Sequence, residues 1–442
     1  MGKYVEELVT GKLNEIRTRN NEYEAGRIIS IREYVLEVSG LEKASFYERV
    51  IVSGTSEGYI ISIRRNSVMV AIVKKNSDIY VGDEVIATGE EFCLSYDEEA
   101  IGHMINMFGE DVMTGKLLEH TEKLHIENPT TPIMERTSVN RPLETGLSGI
   151  DLIYPIGRGQ RQLIIGDKKT GKTQIALDTI LNQKDKNVLC IYIAVGKTKK
   201  NLKNVYAELQ KKGAMKYTII LAALNDDLPP VLSLTPYAGL AIAEQYMHKG
   251  QDVLVVIDDL SRHADCYREI SLLIGKVPGR DAYPPDIFYT HSRLLEKGCQ
   301  HMDGGSITIL PIVETRGGDI TDYISTNIIS ITDGQIVLSK KSFDKGEKPA
   351  INYGLSVSRL GGAVQTGPMK KMGSRVRREL LSYLETREVY ELANTDEMGK
   401  ELQERLKRGA KLLKGLGQYK YSPLSQEEIL KKFEDIYKEE SV

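Results

Sequence analysis

Apolar positions along this chain change their rhythm three times, and each change marks a different kind of element. Residues 1–19 place Val5, Leu8, Val9, Leu13 and Ile16 on one side of a helical wheel with charges opposite, which predicts a helix. Such a stripe serves either as core packing for its own domain or as an arm docking on a partner. From residue 26 to about 89 short runs rich in β-branched residues follow, at 28–31, 50–52, 59–63 and 68–73. Turns at Ser39-Gly40, Ser53-Gly54, Asn76-Ser77-Asp78 and Gly82-Asp83 separate them. Strict polar alternation is missing, so run length and turn spacing carry the prediction of a small β-barrel. Residues 90–140 read as a connector punctuated by Pro129 and Pro132. Strand-like and helix-like segments then alternate to about residue 365, the pattern of a mostly parallel sheet covered by helices, with strands expected at 162–166, 188–195, 217–221, 253–257 and 306–313. Beyond Pro368 only helical spacing remains. Val376, Leu380, Leu381 and Leu384 suit one helix, Met398, Leu402, Leu406 and Leu413 a second, and residues 425–437 a third.

The organisation expected is therefore an N-terminal helical arm (1–23), a β-barrel (24–90), an α/β domain (91–365) and a short C-terminal helical domain (366–442). At 442 residues the chain is long enough for several cores without staples. A net charge of −3 with 27% charged residues gives no global basic field for nucleic acid, and Phe46, Tyr47 and Arg49 form no wider aromatic-plus-basic cluster in the barrel. The four cysteines are scattered without zinc spacing, which fits reduced thiols. The early acidic residues argue against a secretory signal, and no apolar run approaches the ~20 residues of a membrane span.

Candidate chemistry centres on residues 162–173, which match G-x-x-x-x-G-K-[ST] between a strand-like run and a helix-like one. Gly166 and Gly171 allow a tight turn, so that backbone N–H groups along Asp167, Lys168, Lys169 and Thr170 and a helix N-terminus face phosphates. Lys172 is expected on the β/γ oxygens, and the Thr173 hydroxyl on Mg²⁺. Asp258 ends an apolar run and is expected to hold the Mg²⁺ water shell, the competing reading being a solvated strand-end aspartate. Hydrolysis also needs a group that accepts a proton from water. The position after Gly196 instead carries Lys197, followed by Thr198, Lys199 and Lys200, and an ammonium cannot accept a proton. The pocket is expected to bind nucleotide and turn it over poorly. Arg359, in the glycine-flanked stretch 354–362, can be offered to a neighbour's phosphate or form a surface ion pair.

Several further stretches extend the pattern: Pro155-Ile156-Gly157-Arg158-Gly159-Gln160-Arg161, Asp258-Asp259-Leu260-Ser261, Pro278-Gly279-Arg280-Asp281-Ala282-Tyr283-Pro284, residues 288–296, 326–335 and 349–359, and Tyr421-Ser422-Pro423. With the P-loop, they make the chain resemble the α subunits of F-type ATP synthases, most strongly over residues 141–365. The resemblance implies a RecA-like nucleotide-binding domain, ATP or ADP with Mg²⁺ at residues 166–173, and no catalysis at that site. It implies a ring of three α and three catalytic β subunits around a central stalk, peripheral at the cytoplasmic face of the cell membrane and joined through other subunits to a proton-conducting membrane sector. Arg359 is then the finger reaching the adjacent β site, with Ser356 beside it, and Phe343, Lys348, Pro349 and Gln418 form the adenine side of the pocket. Lys169 and Lys197 stand where such subunits usually have glutamine, Lys420 where a second pocket glutamine is usual, and Lys348 where an arginine is usual. Two other readings with a similar core are a self-sufficient homohexameric export ATPase, which needs the missing base, and a nucleic-acid translocase, which needs a basic barrel.

Overall fold

The computed structural model describes residues 24–390 and 400–438, so the N-terminal stripe and Met398 lie outside the described residues. These fall into two compact units, one formed by the described residues up to Cys93 with Ile270–Lys276, the other by Leu94–Glu269 with the described residues from Val277 onward.

The first unit is a closed six-stranded barrel of Glu24–Arg32, Val35–Ser39, Glu48–Val52, Ser56–Ile63, Val68–Lys74 and Glu84–Glu91. Closure pairs the first strand with both the second and the last, which leaves no open sheet edge. Two of these strands escape a sequence reading for local reasons. Val35–Ser39 follows a two-residue turn with Glu33 at φ 56°, a conformation usually signalled by glycine or asparagine. Glu84–Glu91 carries few apolar residues and Gly89 at φ 68°. At Gly58 the backbones come so close that a Cβ would lie 2.6 Å from the Ala71 carbonyl oxygen.

The second unit is built on a mostly parallel sheet. Its main path runs Val357–Ser358, Gly334–Leu338, Leu163–Asp167, Ser306–Thr315, Asp252–Asp258, Val188–Lys197, Thr218–Leu224 and Met104–Ile105. The central strands are buried on both faces, so they read as continuous apolar runs: every residue from Val188 to Val195 is buried. Residues 90–140 do more than connect, because Met104–Ile105 pairs in parallel with Ile220 and Leu221 at the sheet edge. Two residues are too few to show a period. Gly334–Leu338 is a further strand beyond those expected, bordering the P-loop strand. Three helices, Gly367–Tyr390, Lys400–Leu416 and Gln426–Lys438, pack through Val376, Leu380, Tyr383, Leu412, Leu416, Ile429 and Phe433. Gly409 makes this packing possible, since a Cβ there would meet the Tyr383 ring at 2.1 Å. The fold class is thus a β-barrel, a parallel-sheet nucleotide-binding domain and a helical region.

The core of the second unit holds two histidines without charge. The rings of His263 and His291 lie 5.6 Å apart, and neither His291 nitrogen has a hydrogen-bond partner. Burial pushes His263 down to about 4 and His291 down to about 3. An unfolded imidazole titrates near ~6.5, so between that pH and the depressed native values the unfolded chain binds protons that the folded chain refuses. The His291 contribution is therefore absent above pH ~6.5 and grows as an acid penalty below it, to about 3 kcal/mol at pH 4. Burial also pushes Asp151 and Asp178 up to about 6, which acts in the opposite sense over the same window. The difference between His291→Phe and the parent isolates the histidine: denaturant titrations at pH 7 and pH 4 are expected to show the variant gaining on the parent by that amount.

Candidate functional site

Parallel strands deliver their C-terminal ends to one side of a sheet, and the candidate residues collect there. Leu163–Asp167 leads through Lys168–Gly171 into the helix Lys172–Leu181. Gly171 takes φ 102° at the helix start, and Gly166 has no room for a side chain because a Cβ would lie 2.7 Å from the Leu338 carbonyl oxygen. The loop opens on a cavity of about 1300 Å³ whose lining includes Lys168, Lys169, Thr170, Gly171, Lys172, Thr173, Asp258, Phe343, Lys348, Pro349 and Gln418. Nine lysine and arginine side chains and five carboxylates line it, a balance that suits a polyanion.

The residues do different things there. Lys172 is buried and folded back over the loop, its Nζ donating to the Gly166 and Asp167 carbonyls at 2.7 and 2.6 Å. Burial lowers its pKa, while the carboxylates of Glu314, Asp259 and Asp258 oppose that shift. Gly166 and Asp167 shape the loop without lining the cavity: the Asp167 carboxylate accepts from Thr315 Oγ1 and the Gly318 N–H, both at 2.7 Å. On the far wall, Lys348 Nζ lies 4.8 Å from the Phe343 ring centroid, a cation–π contact. Gln418 uses its amide on the chain itself, donating to the Gly146 and Ser422 carbonyls at 2.7 and 2.6 Å and accepting from the Ser148 N–H at 3.2 Å. It braces the wall.

Asp258 is not a solvated strand end. It is buried, and its Oδ2 accepts from Thr173 Oγ1 and the Tyr192 hydroxyl, both at 2.7 Å. Its Oδ1 lies 2.6 Å from Lys197 Nζ, which also reaches Asp259 Oδ2 at 3.4 Å. Burial works against charge on Lys197, but Asp258 and then Asp259 outweigh it and hold the pKa above the ordinary lysine value. The donor set expected for Mg²⁺ is therefore assembled but engaged: Thr173 points its proton at Asp258, and an ammonium occupies the open side of that carboxylate.

Four carboxylates of this pocket, Asp178, Asp259, Glu314 and Glu347, are not among the residues expected there. Asp259 and Glu314 both line the cavity, and Glu314 lies in register beside Gly166, 3.5 Å from Lys168 Nζ. The available signal for Glu314 was its place at the end of an apolar strand, where such sheets present ligand-binding side chains.

Arg359 and Ser356 are elsewhere. Ser358 pairs with Gly334 at the start of Gly334–Leu338, whereas Leu338, at that strand's end, pairs with Gly166. Four residues of strand, about 13 Å, separate those two registers. Arg359 is exposed, contributes nothing to the cavity lining, and donates through a guanidinium nitrogen to the Ile329 carbonyl at 3.5 Å. Ser356 is buried, its hydroxyl donating to the Asn352 carbonyl at 2.7 Å and accepting from the Val337 N–H at 3.0 Å. It braces the turn that carries Arg359.

A glycine-rich loop between a buried parallel strand and a helix, opening on a cationic cavity, defines a P-loop nucleotide-binding protein. Residues 146–358 match the family described as ATP synthase alpha/beta family, nucleotide-binding domain. The chain is 44% identical over 408 residues to the ATP synthase subunit alpha of Caldanaerobacter subterraneus subsp. tengcongensis, covering 92% of this chain and 80% of that protein. It is 42% identical over 423 residues to that of Pediococcus pentosaceus and 40% identical over 423 residues to that of Clostridium acetobutylicum, in each case covering 95% of this chain and 83% of the other. The chain belongs to the ATP synthase subunit alpha family. No helix among the described residues is long and apolar enough to cross a membrane.

Proposed function

We propose that this chain is the non-catalytic, nucleotide-holding subunit of a rotary ring, and that it supplies Arg359 to the catalytic site of an adjacent β-type subunit. The observation that carries this reading is the separation just described: the P-loop lysine and the exposed arginine stand at opposite ends of one strand. An arginine outside its own chain's pocket is available to a neighbour, where its fork stabilises charge on a transferring phosphoryl group. Lys197, at the strand end where a proton acceptor would serve hydrolysis, supports a pocket that keeps ATP or ADP without consuming it. In this reading three such chains alternate with three β-type subunits around a central stalk. The ring works at the cytoplasmic face of the membrane and is coupled to proton flow through other subunits. Nucleic acid has no part in it.

The test compares steady-state ATP hydrolysis by the purified chain with that of the ring reconstituted with its catalytic partners. Turnover confined to the ring is expected. Fast turnover by the chain alone would instead favour a self-sufficient homohexameric ATPase. Glu314 gives that second reading a foothold, since it is a partly exposed cavity carboxylate beside the loop. In that case Glu314→Gln would abolish the activity of the isolated chain.

A further inference from the structure

Mg²⁺ sheds its water reluctantly and is ordinarily held in such pockets by a threonine hydroxyl, a carboxylate acting through water, and the phosphates themselves. That arrangement needs a free lone pair on Asp258, a Thr173 oxygen turned toward the ion, and room for a hydrated divalent charge. Here both Asp258 oxygens are engaged, Oδ2 by Thr173 and Tyr192 and Oδ1 by Lys197 at 2.6 Å. Lys197 also reaches Asp259, and it lines the same cavity as Lys172. A divalent ion entering between Thr173 and Asp258 would have to displace one ammonium and sit beside a second.

We propose that Lys197 is a built-in counter-ion that takes the place of the divalent metal, so that this pocket binds ATP or ADP as a metal-free polyphosphate. The proposal rests on the nucleotide-binding reading of the P-loop cavity. An ammonium has three donors. Two of them are taken by Asp258 and Asp259, and the third is left for a phosphate oxygen. Lys197 then does two jobs of the missing ion: it neutralises the buried carboxylate and lends positive charge to the phosphates. Its strand holds it in place: Ala194 is paired with Asp258, and Lys197, the last residue of the same strand, lies just beyond that final paired position. The chemistry of the ligand is thus a nucleoside polyphosphate without its usual cation.

Calorimetric titration of the full chain with ATP, once in EDTA and once in excess Mg²⁺, tests this directly. The parent is expected to show dissociation constants equal within about three-fold in the two conditions. Lys197→Gln removes the ammonium and is expected to bind at least about ten-fold more weakly in EDTA than in Mg²⁺. Lys197→Arg keeps a cation and is expected to stay metal-independent, which guards against a Gln variant that fails to fold. A parent that loses about ten-fold or more of its affinity in EDTA overturns the proposal while leaving the nucleotide reading intact. A parent that binds in neither condition overturns both.

Discussion

Arg359→Ala is expected to lower the turnover of the reconstituted ring by ~10³ or more, the scale attached to a guanidinium that stabilises a transferring phosphoryl group in trans. The same substitution is expected to leave this chain's own affinity for ATP unchanged, because Arg359 is exposed and contributes nothing to the cavity lining. Steady-state hydrolysis by the ring and calorimetric binding to the single chain measure the two halves separately. Arg359 makes one side-chain hydrogen bond with good access to solvent, to the Ile329 carbonyl, so its removal opens no core. Stability is therefore expected to change little, within about 0.5 kcal/mol. Ring turnover that survives the substitution would remove the proposed role of this arginine.

Lys172→Ala is expected to do the reverse. Its ammonium is buried at the head of the cavity and in this structure bonds the carbonyls of Gly166 and Asp167, oxygens that phosphate would replace as partners. Losing one or two charge-assisted bonds to a phosphate is expected to weaken nucleotide binding to this chain by about ten- to a hundred-fold. Ring turnover is expected to fall far less than with Arg359→Ala, since in the proposed division of labour the chemistry takes place in the adjacent subunit's site. Equal losses of turnover in the two variants would contradict the division of labour between the pocket and the exposed arginine.

The two substitutions discriminate because two features of one short strand point apart. At the Leu338 end, the strand pairs with the P-loop strand at Gly166; at the Gly334 end it pairs with Ser358, next to Arg359. Ser356 ties the turn before Arg359 back to the strand, by bonding the backbone of Asn352 and Val337. A Ser356 substitution would therefore act on Arg359 through the turn that carries it.

Elements whose physics is local were legible from the residues themselves. The P-loop is a strand, two glycines, a lysine, a threonine and a helix start within about a dozen positions, and an anion site of that kind needs nothing from elsewhere in the chain. Central strands such as Val188–Lys197 were visible because burial on both faces demands an unbroken apolar run. The three C-terminal helices likewise follow from spacing that turns one face toward a shared core. By contrast, Met104–Ile105 and Gly334–Leu338 became strands only because a neighbour was there to pair with them, and neither carries a period of its own.

The residues by themselves determined the family, the anion-binding loop and the absence of a proton acceptor at Lys197. Tertiary structure alone decided what that lysine does: contact with Asp258 joins the ends of two strands far apart in the chain, and no spacing rule reports it. It likewise decided that Glu314 enters the pocket and that Arg359 stays out of it, because strand register sets which side chains reach a common end of the sheet. Periodicity is a property of neighbours along the chain, whereas an ion pair between strand ends depends on how the strands are laid side by side.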